Sequence, residues 1–236
     1  MNEPQRTSTG SISEAIVAIP TLTQYGKLLG LCRRLLHEIE PRPSLSIRIL
    51  ILDNGGKLLE ASEGRELAAN DRVRIVIPPY NLGVAGSWNY FARTAGRCII
   101  SNDDVLFSQT SIHEFEDAAN RNPDAVIIEN DHPVGGFSTF LLNRPEKWME
   151  LGGFDELLNP AYFEDNDARI RLRLAGNPVR KVRLSNWHHD NSSTLNNSSE
   201  DYKRMHWCMY ARNKAYYIKK WGGEPGNERY NQPFGK

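Results

Sequence analysis

The sequence predicts an α/β fold with a mostly parallel central sheet flanked by helices. Three observations favour this class. Short apolar runs alternate with helical stretches through the first half, several of those runs end in polar turn residues, and 236 residues suffice for one sizeable domain. Because parallel strands finish at the same edge of a sheet, we expect the polar residues that follow them to line one crevice.

The first half contains the clearest elements. Short apolar runs predict buried strands, and apolar residues at helical spacing predict helices. The expected strands are 15–19, 47–52, 73–77 and 98–100, and the expected helices run from about 28 to 39 and from about 87 to 94. Pro41 stops the first helix, and Asp53-Asn54-Gly55-Gly56 is a strong turn signal. The stretch between the second and third strands is predicted to be a loop.

The second half predicts a less regular arrangement. Apolar runs at 125–129 and 136–142, with little helix between them, indicate a smaller antiparallel or mixed region. The other expected elements are helices at 145–151, 164–174 and 200–220 and a strand at 179–184. No repeat or linker interrupts them. We therefore expect one domain over residues 14–222, between a disordered polar tail at 1–13 and a C-terminal tail at 223–236.

The balanced net charge hides two unlike segments. Residues 98–170 carry 15 acidic and 4 basic side chains, and residues 180–236 carry 11 basic and 5 acidic ones. An acidic middle favours a bound cation, whereas the basic C-terminal part suits either a solvated surface or peripheral contact with an anionic membrane.

The cysteines and the hydropathy pattern bear on the compartment. Three widely separated cysteines without metal-type spacing indicate free thiols in a reducing compartment. No apolar run approaches the roughly 18 residues of a membrane span, and no signal-peptide pattern opens the chain. These features predict a cytoplasmic protein.

The most informative motif is Asn102-Asp103-Asp104, directly after the buried strand at 98–100. Carboxylates at the end of a buried strand are costly unless a positive charge lies beside them. Mg²⁺ and Mn²⁺ take oxygen ligands and commonly share them with substrate phosphates, so a divalent metal site is one interpretation. An Asx-rich turn with solvated side chains is the other.

The ends of the other strands are also polar. Asp53 suits a contact with a sugar hydroxyl or a base N–H, or it is a turn-forming Asp before glycine. No Gly-x-Gly-x-x-Gly follows the first strand and no Gly-Lys-Ser/Thr is present, so neither a dinucleotide-binding fingerprint nor a phosphate loop is supported.

Six motifs together resemble family 2 glycosyltransferases of the GT-A fold. They span about residues 14–190 in the order that the family keeps, and they are Ala-Ile-Pro-Thr at 18–21, Leu-Asp-Asn-Gly-Gly at 52–56, Asn-Leu-Gly-Val-Ala-Gly-Ser-Trp-Asn at 81–89, Ser-Asn-Asp-Asp-Val at 101–105, Gly-Gly-Phe-Asp-Glu at 152–156 and Tyr-Phe-Glu-Asp-Asn-Asp at 162–167. The resemblance implies a GT-A fold with a small mixed sheet on the acceptor side. It also implies an inverting, metal-dependent glycosyltransferase that uses a nucleotide-diphosphate sugar, with UDP favoured, and a glycan or other hydroxyl acceptor in bacterial or viral glycan synthesis.

The resemblance also implies site residues. Asp104 would bind Mn²⁺ or Mg²⁺ together with His188 or His189, a choice that the sequence leaves open. Asp165 would be the general base and Glu164 its catalytic neighbour. The implied donor contacts are Pro20, Thr21, Asp53, Asn54, Asn81, Gly83, Asn89, Asn102 and Asp103. Asn102 replaces the first Asp of the family's Asp-x-Asp motif, which leaves open what Asp103 contributes to the site.

Several of these residues also suit a purely structural role. Acidic residues such as Glu164 and Asp165 favour the first turn of any helix. The histidine pair suits a surface or a core position. The aromatics Trp207, Tyr210, Tyr216, Tyr217 and Trp221 suit either an acceptor platform or helix packing.

Two other functions use a similar sheet. A nucleotidyltransferase normally carries a Gly-rich loop with Lys or Arg after its first strand, and Pro20-Thr21-Leu22-Thr23 lacks those residues. A non-catalytic nucleotide-sugar or glycan-binding module would not need both Asn102-Asp103-Asp104 and Glu164-Asp165. Turnover of a donor with an acceptor distinguishes the module from a transferase.

Overall fold

The structure, a computed structural model, describes residues 13–37, 45–130, 137–190 and 200–236. The strands are β1 (Ser13–Thr21), β2 (Leu45–Asp53), β3 (Val73–Val76), β4 (Cys98–Ser101), β5 (Val105–Leu106), β6 (Val126–Glu129), β7 (Thr139–Leu142), β8 (Val179–Val182) and β9 (His188–His189). The helices are α1 (Tyr25–His37), α2 (Ser62–Ala68), α3 (Gly83–Thr94), α4 (Gln109–Arg121), α5 (Pro145–Glu150), α6 (Glu164–Leu174) and α7 (Glu200–Trp221).

Seven strands form the central sheet in the order β3-β2-β1-β4-β7-β6-β8. The pairs β1–β2, β2–β3, β1–β4 and β6–β8 are parallel, and β7 runs antiparallel to both β4 and β6. Thr21 pairs with Asp53, so β1 and β2 end at the same level. A second, antiparallel sheet joins β5 to β9 and pairs Val105 with His189. The α/β prediction of a mostly parallel sheet with a small additional sheet is confirmed.

Alternating side chains of the strands build a core on each face of the sheet. Val17 and Ile19 pack in the cluster that contains the apolar faces of α1 and α4, whereas Ala18 packs in the cluster that contains those of α3, α5 and α6. Burying apolar residues on both faces explains the continuous apolar runs of β1 and β2. The two clusters fix the level at which the strands end.

Several boundaries differ from the sequence prediction. Helix α3 begins at Gly83, about four residues earlier than expected, and α2 and α4 are helices where none was expected. Helix α4 is amphipathic, and the side chain of Ser108 caps it by accepting a hydrogen bond from the Ser111 N–H. The predicted end of the first helix near Pro41, the tail at 1–12 and position 136 of a predicted strand lie outside the described residues.

The C-terminal residues contact the end of α7. The backbone N–H groups of Arg229 and Tyr230 donate to the Trp221 carbonyl at 3.0 and 3.1 Å. The Tyr217 hydroxyl donates to Glu228 at 2.6 Å. Within the described ranges, no helix combines the length and the apolar character needed to cross a bilayer.

Candidate active site

A cavity of about 400 Å³ opens at the carboxyl ends of β1, β2 and β4. The sequence predictions that it brings together are Pro20, Thr21, Asn54, Asn81, Gly83, Asn102, Asp103, Asp104, Glu164, Asp165 and His189. Residues 160–162 and two side chains of α7, Tyr202 and His206, also line it. The strand ends and the start of α6 therefore share one space.

Asp103 connects β1 to the turn after β4. The Thr21 hydroxyl donates to its Oδ2 at 2.6 Å, and the carboxyl group is almost completely buried. The pKa of Asp103 is raised to about 7, mainly by burial; the hydrogen bond from Thr21 opposes the shift and the neighbouring Asp104 adds to it. This contact fixes the position of the acidic turn relative to β1.

Asp104 and His189 form a close pair of metal-ligand types in the cavity. Nε2 of His189 lies 3.2 Å from Oδ1 of Asp104, and each side chain is 11% exposed. The antiparallel pairing of β5 with β9 places the two residues together, and the Asp190 N–H donates to the Asp104 carbonyl at 2.9 Å.

The donor set of this pair fits a divalent cation. A carboxylate oxygen and an imidazole nitrogen are both ligands that Mn²⁺ accepts, and Mg²⁺ commonly takes one or two carboxylates plus phosphate oxygens and water. Within the described ranges, no group of three or more His, Cys, Asp or Glu side chains is arranged to hold a metal ion. Asp104 and His189 would hold the ion, and substrate phosphates and water would complete its coordination.

His188 lies outside the cavity. Successive side chains of a strand point to opposite faces, and the ring of His188 is 71% exposed with Nε2 2.8 Å from Asp190 Oδ1. Of the two histidines that the sequence left open, the structure places His189 beside Asp104 and His188 beside Asp190.

Asp53 does not line the cavity. Its carboxylate is completely buried and accepts hydrogen bonds from the backbone N–H groups of Gly55, Gly56 and Leu58 at 2.8–3.1 Å. The Tyr25 hydroxyl donates to it at 2.9 Å. Three of these bonds end on Oδ1 and one on Oδ2, so Asp53 shapes the turn after β2.

Asn89 also lies outside the cavity lining. Its Nδ2 donates to the Phe154 carbonyl and to Glu156, each at 2.8 Å, and its Oδ1 accepts from the Phe154 N–H at 2.7 Å. The side chain is buried outside the cavity lining. It attaches α3 to the loop before α6, and both polar atoms of its amide are already engaged in hydrogen bonds within the protein.

The loop before α3 is held by Asn54. Its Oδ1 accepts from the Leu82 N–H and its Nδ2 donates to the Ser87 hydroxyl, both at 2.9 Å. Gly83 has φ +69°, and a Cβ there would lie 2.7 Å from Nδ2 of Asn159. Only glycine combines this left-handed backbone with so close an approach. The 81–83 loop is thus attached to both sides of the cavity.

Helix α6 begins with a pair of carboxyl groups in the cavity. Glu164 is buried, and its Oε2 has no hydrogen-bond partner among the described residues. Burial, followed by the charges of Asp165 and Asp167, raises the pKa of Glu164 well above its usual value. Asp165 is more exposed, and its Oδ1 accepts from the Asn166 N–H at 2.7 Å.

The backbone before α6 is strained. Tyr162 and Phe163 have φ of 81° and 72°, values that bulky L-residues rarely adopt. Strain of this kind costs about 1–3 kcal/mol per residue and persists where the surrounding structure enforces it. Here it directs Glu164 and Asp165 into the cavity.

A buried charge network holds α6 against α7, and the sequence did not reveal it. Lys220 Nζ lies 2.6 Å from both Asp167 Oδ1 and Asp155 Oδ2. The Trp221 Nε1–H donates to Asp167 at 2.9 Å, and Arg171 pairs with the same carboxylate at 2.8 Å. Asp155 belongs to the Gly-Gly-Phe-Asp-Glu motif, but the sequence does not indicate its partner, since Lys220 lies 65 residues away.

Comparison with known proteins supports the fold. No protein-family model and no curated protein matches the sequence. Among solved structures, the chain is similar to the mannosyltransferase PcManGT from Pyrobaculum calidifontis in complex with GDP-Man and Mn²⁺ (TM-score 0.61, 13% identity, 90% of this chain covered). It is also similar to GalNAc-T7 with UDP, GalNAc and Mn²⁺ (0.61, 12%, 88%) and to S. aureus TarS (0.53, 12%, 85%).

The chain spans 66%, 50% and 39% of the lengths of these three proteins. At such low identity the similarity establishes architecture, and the architecture agrees with the fold that the sequence motifs implied. The chain has a GT-A fold.

Proposed function

We propose that the protein is an inverting, metal-dependent glycosyltransferase of the family 2 type, moving a sugar from a nucleotide-diphosphate donor to an acceptor hydroxyl. One observation carries the proposal: a single cavity at the carboxyl ends of β1, β2 and β4 contains both the Asp104–His189 pair and the Glu164–Asp165 pair. The Asp104–His189 pair suits a metal ion bound to a diphosphate, and the Glu164–Asp165 pair suits removal of a proton from an acceptor hydroxyl.

The strand ends supply the donor side. The cavity lining offers hydrogen-bonding groups on the donor side, and these belong to Thr21, Asn54, Asn81, Asn102 and Asp103. Bound there, Mn²⁺ or Mg²⁺ would neutralise the charge that grows on the departing diphosphate. PcManGT and GalNAc-T7, which share the fold, are described with GDP-Man or UDP and with Mn²⁺. Both guanosine and uridine donors are therefore candidates, and the preference for UDP rests on the sequence resemblance.

The carboxyl pair supplies the acceptor side. Of the two adjacent carboxyl groups, Glu164 is the more buried, and burial raises its pKa and so favours its protonated form. Asp165 is then the carboxylate that removes the proton from the acceptor hydroxyl. The acceptor oxygen forms a bond to the anomeric carbon, and the bond from that carbon to the diphosphate oxygen breaks. The electron pair leaves with the nucleoside diphosphate.

Inversion follows from this single displacement, because no protein nucleophile takes part and the acceptor attacks the face opposite the leaving group. The setting we propose is bacterial or viral glycan synthesis in the cytoplasm, and it rests on the sequence resemblance.

The test uses the purified chain with Mn²⁺, a panel of UDP- and GDP-sugars, and mixed hydroxyl acceptors. We expect nucleoside diphosphate release that requires Mn²⁺ and a product whose anomeric configuration, read by NMR, is opposite to that of the donor. Release of a sugar 1-phosphate, with transfer of the nucleoside monophosphate to an acceptor, would indicate a nucleotidyltransferase. Donor binding without turnover under any acceptor condition would indicate a binding module. Retained configuration would refute inversion.

A further inference from the structure

Five aromatic and imidazole rings form a continuous cluster beside Glu164. The α7 aromatic cluster consists of Tyr162, Tyr202, His206, Trp207 and Tyr210. His206 packs edge-to-face against Tyr162 and Trp207, with ring centroids 4.9 and 5.6 Å apart. Tyr210 lies 5.3 Å from Tyr162 and 5.8 Å from Trp207. Tyr162, Tyr202 and His206 line the same cavity as Glu164 and Asp165.

The cluster differs from the rest of α7 in its exposure. Tyr217 and Trp221, near the end of the helix, are completely buried in a core with Phe163. Trp207 is instead 57% exposed. Trp207 does not itself line the cavity, but its ring packs against His206, which does, so its exposed indole extends the cluster beyond the lining.

His206 gives the cluster a polar group without a partner. The residue is only 8% exposed, and its Nε2 has no hydrogen-bond partner among the described residues. Burial lowers the pKa of His206, so its ring is neutral at neutral pH and offers one donor and one acceptor nitrogen. A buried polar atom without a partner is costly, and a ligand hydroxyl in the cavity removes that cost. Oε2 of Glu164 is likewise buried without a hydrogen-bond partner among the described residues.

We infer that the acceptor is a saccharide, held with the apolar face of its ring on the α7 aromatic cluster and its hydroxyls on His206 and Glu164. The inference rests on the proposed function and names the acceptor class at the same site. A sugar ring has C–H faces that pack on aromatic rings and hydroxyls around its edge that both donate and accept. The cluster offers this combination of apolar faces and polar atoms.

Two other acceptor classes fit the site less well. An acyl chain would leave the buried Nε2 of His206 and Oε2 of Glu164 without partners. A phosphorylated or acidic acceptor would meet the carboxyl groups of Glu164 and Asp165 at close range.

The test measures saccharide binding without requiring turnover. Methyl glycosides of glucose, galactose, mannose and N-acetylglucosamine are titrated by saturation-transfer NMR onto the intact chain with UDP or GDP and Mn²⁺. A serine tripeptide and glycerol 3-phosphate serve as non-saccharide probes. We expect at least one glycoside to bind and both non-saccharide probes to fail.

Matched variants assign the binding to the cluster. Trp207→Ala should weaken glycoside binding by about three- to tenfold. Met205→Ala, which truncates another exposed side chain one position before His206, should not change it. His206→Leu should weaken binding, and His206→Gln should retain most of it because the amide restores a donor and an acceptor. Thermal melting confirms that each variant is folded.

The outcomes separate this inference from the proposed function. Equal affinity in Trp207→Ala and Met205→Ala, or binding of no glycoside, would overturn the saccharide site. Nucleoside diphosphate release stimulated only by the peptide or by glycerol 3-phosphate would overturn it as well, while leaving the transferase in place. Glycoside binding that Trp207→Ala weakens, in a protein that turns over no donor, supports the site and refutes the transferase.

Discussion

Nε2 of His189 lies 3.2 Å from Oδ1 of Asp104, across the two-stranded sheet that joins β5 to β9. The adjacent His188 points to the other side of that strand and contacts Asp190 instead. A shift of one residue in the β5–β9 pairing would exchange the two rings, so register decides which imidazole faces the cavity.

This relationship predicts different effects for two neighbouring histidines. His189→Ala should weaken Mn²⁺ binding in the presence of UDP or GDP by about 100-fold. Mutation of a residue that only orients a metal ligand lowers metal affinity by roughly 10–100-fold, and loss of a ligand itself should lie at the upper end of that range. His188→Ala is the matched control and should leave the affinity unchanged. Isothermal titration calorimetry at one pH measures both. Equal losses in the two variants would place the metal elsewhere.

The position of Asp53 predicts a stability effect in place of a binding effect. Asp53→Ala removes the acceptor of three backbone N–H groups and one hydroxyl, and we expect the free energy of unfolding to fall by about 2–3 kcal/mol. Nucleotide affinity, measured well below the melting temperature, should stay within about twofold. Asp71→Ala removes an exposed carboxylate and controls for charge. A tenfold loss of nucleotide affinity with unchanged stability would restore Asp53 as a donor contact.

The sequence predicted the sheet because its strands are buried on both faces. Residues 15–19 and 47–52 are therefore apolar at almost every position, and each run stops at a turn signal. Helix α4 was missed although Ile112, Phe115 and Ala119 recur at helical spacing. Charged residues lie between these apolar positions and weaken the pattern, so no element was assigned to this stretch.

The site was only partly readable for a different reason. An Asp before two glycines serves equally as a ligand contact or as a turn former, and only the position of the Gly55, Gly56 and Leu58 N–H groups decides between them. Lys220 could not be paired with Asp155 or Asp167, because contacts between residues more than 50 positions apart leave no local pattern.

Lys220 predicts a large and specific loss of stability. Lys220→Met leaves the partly buried Asp155 and the fully buried Asp167 without their shared cation, and we expect the free energy of unfolding to fall by about 3–5 kcal/mol. Lys219→Met changes an exposed lysine one position away and should stay within about 0.5 kcal/mol of the parent. Urea denaturation followed by circular dichroism measures both. Similar values for the two variants would show that Arg171 alone neutralises this network.

Glu164 predicts a dependence of stability on pH. Because its pKa is raised in the folded chain, the folded state keeps a proton that the unfolded state releases near the ordinary value of 4.5. The stability that this group contributes is present below that value and is lost as pH rises toward the folded pKa.

Glu164→Gln cannot lose this proton. The difference in unfolding free energy between the variant and the parent should therefore grow in favour of the variant as pH rises above about 4.5, and then level off. Urea unfolding from pH 4 to 8 at constant ionic strength measures the difference, and Glu66→Gln, at an exposed position, is the control. A flat difference would mean that Glu164 ionises as easily as an exposed carboxyl.

The roles of the two carboxyl groups predict different kinetic losses. Asp165→Asn keeps the shape of the side chain and removes its basicity, so at saturating donor, acceptor and Mn²⁺ the turnover number should fall by about 10²–10⁴. Glu164→Gln should cost less, because an amide resembles the protonated acid that burial favours at this position. Donor affinity, measured separately by calorimetry, should stay near the parental value in both variants.

The comparison of the two variants is decisive because both side chains line the same cavity and lie next to each other. A larger loss in Glu164→Gln than in Asp165→Asn would reverse the assignment and make Glu164 the base. Parental turnover in both would reduce the pair to acidic residues that favour the N-terminus of α6 through its dipole. A loss in Asp165→Asn that raising the Mn²⁺ concentration restores would trace the effect to metal binding. A loss that persists at saturating Mn²⁺, with donor affinity retained, assigns proton removal to Asp165.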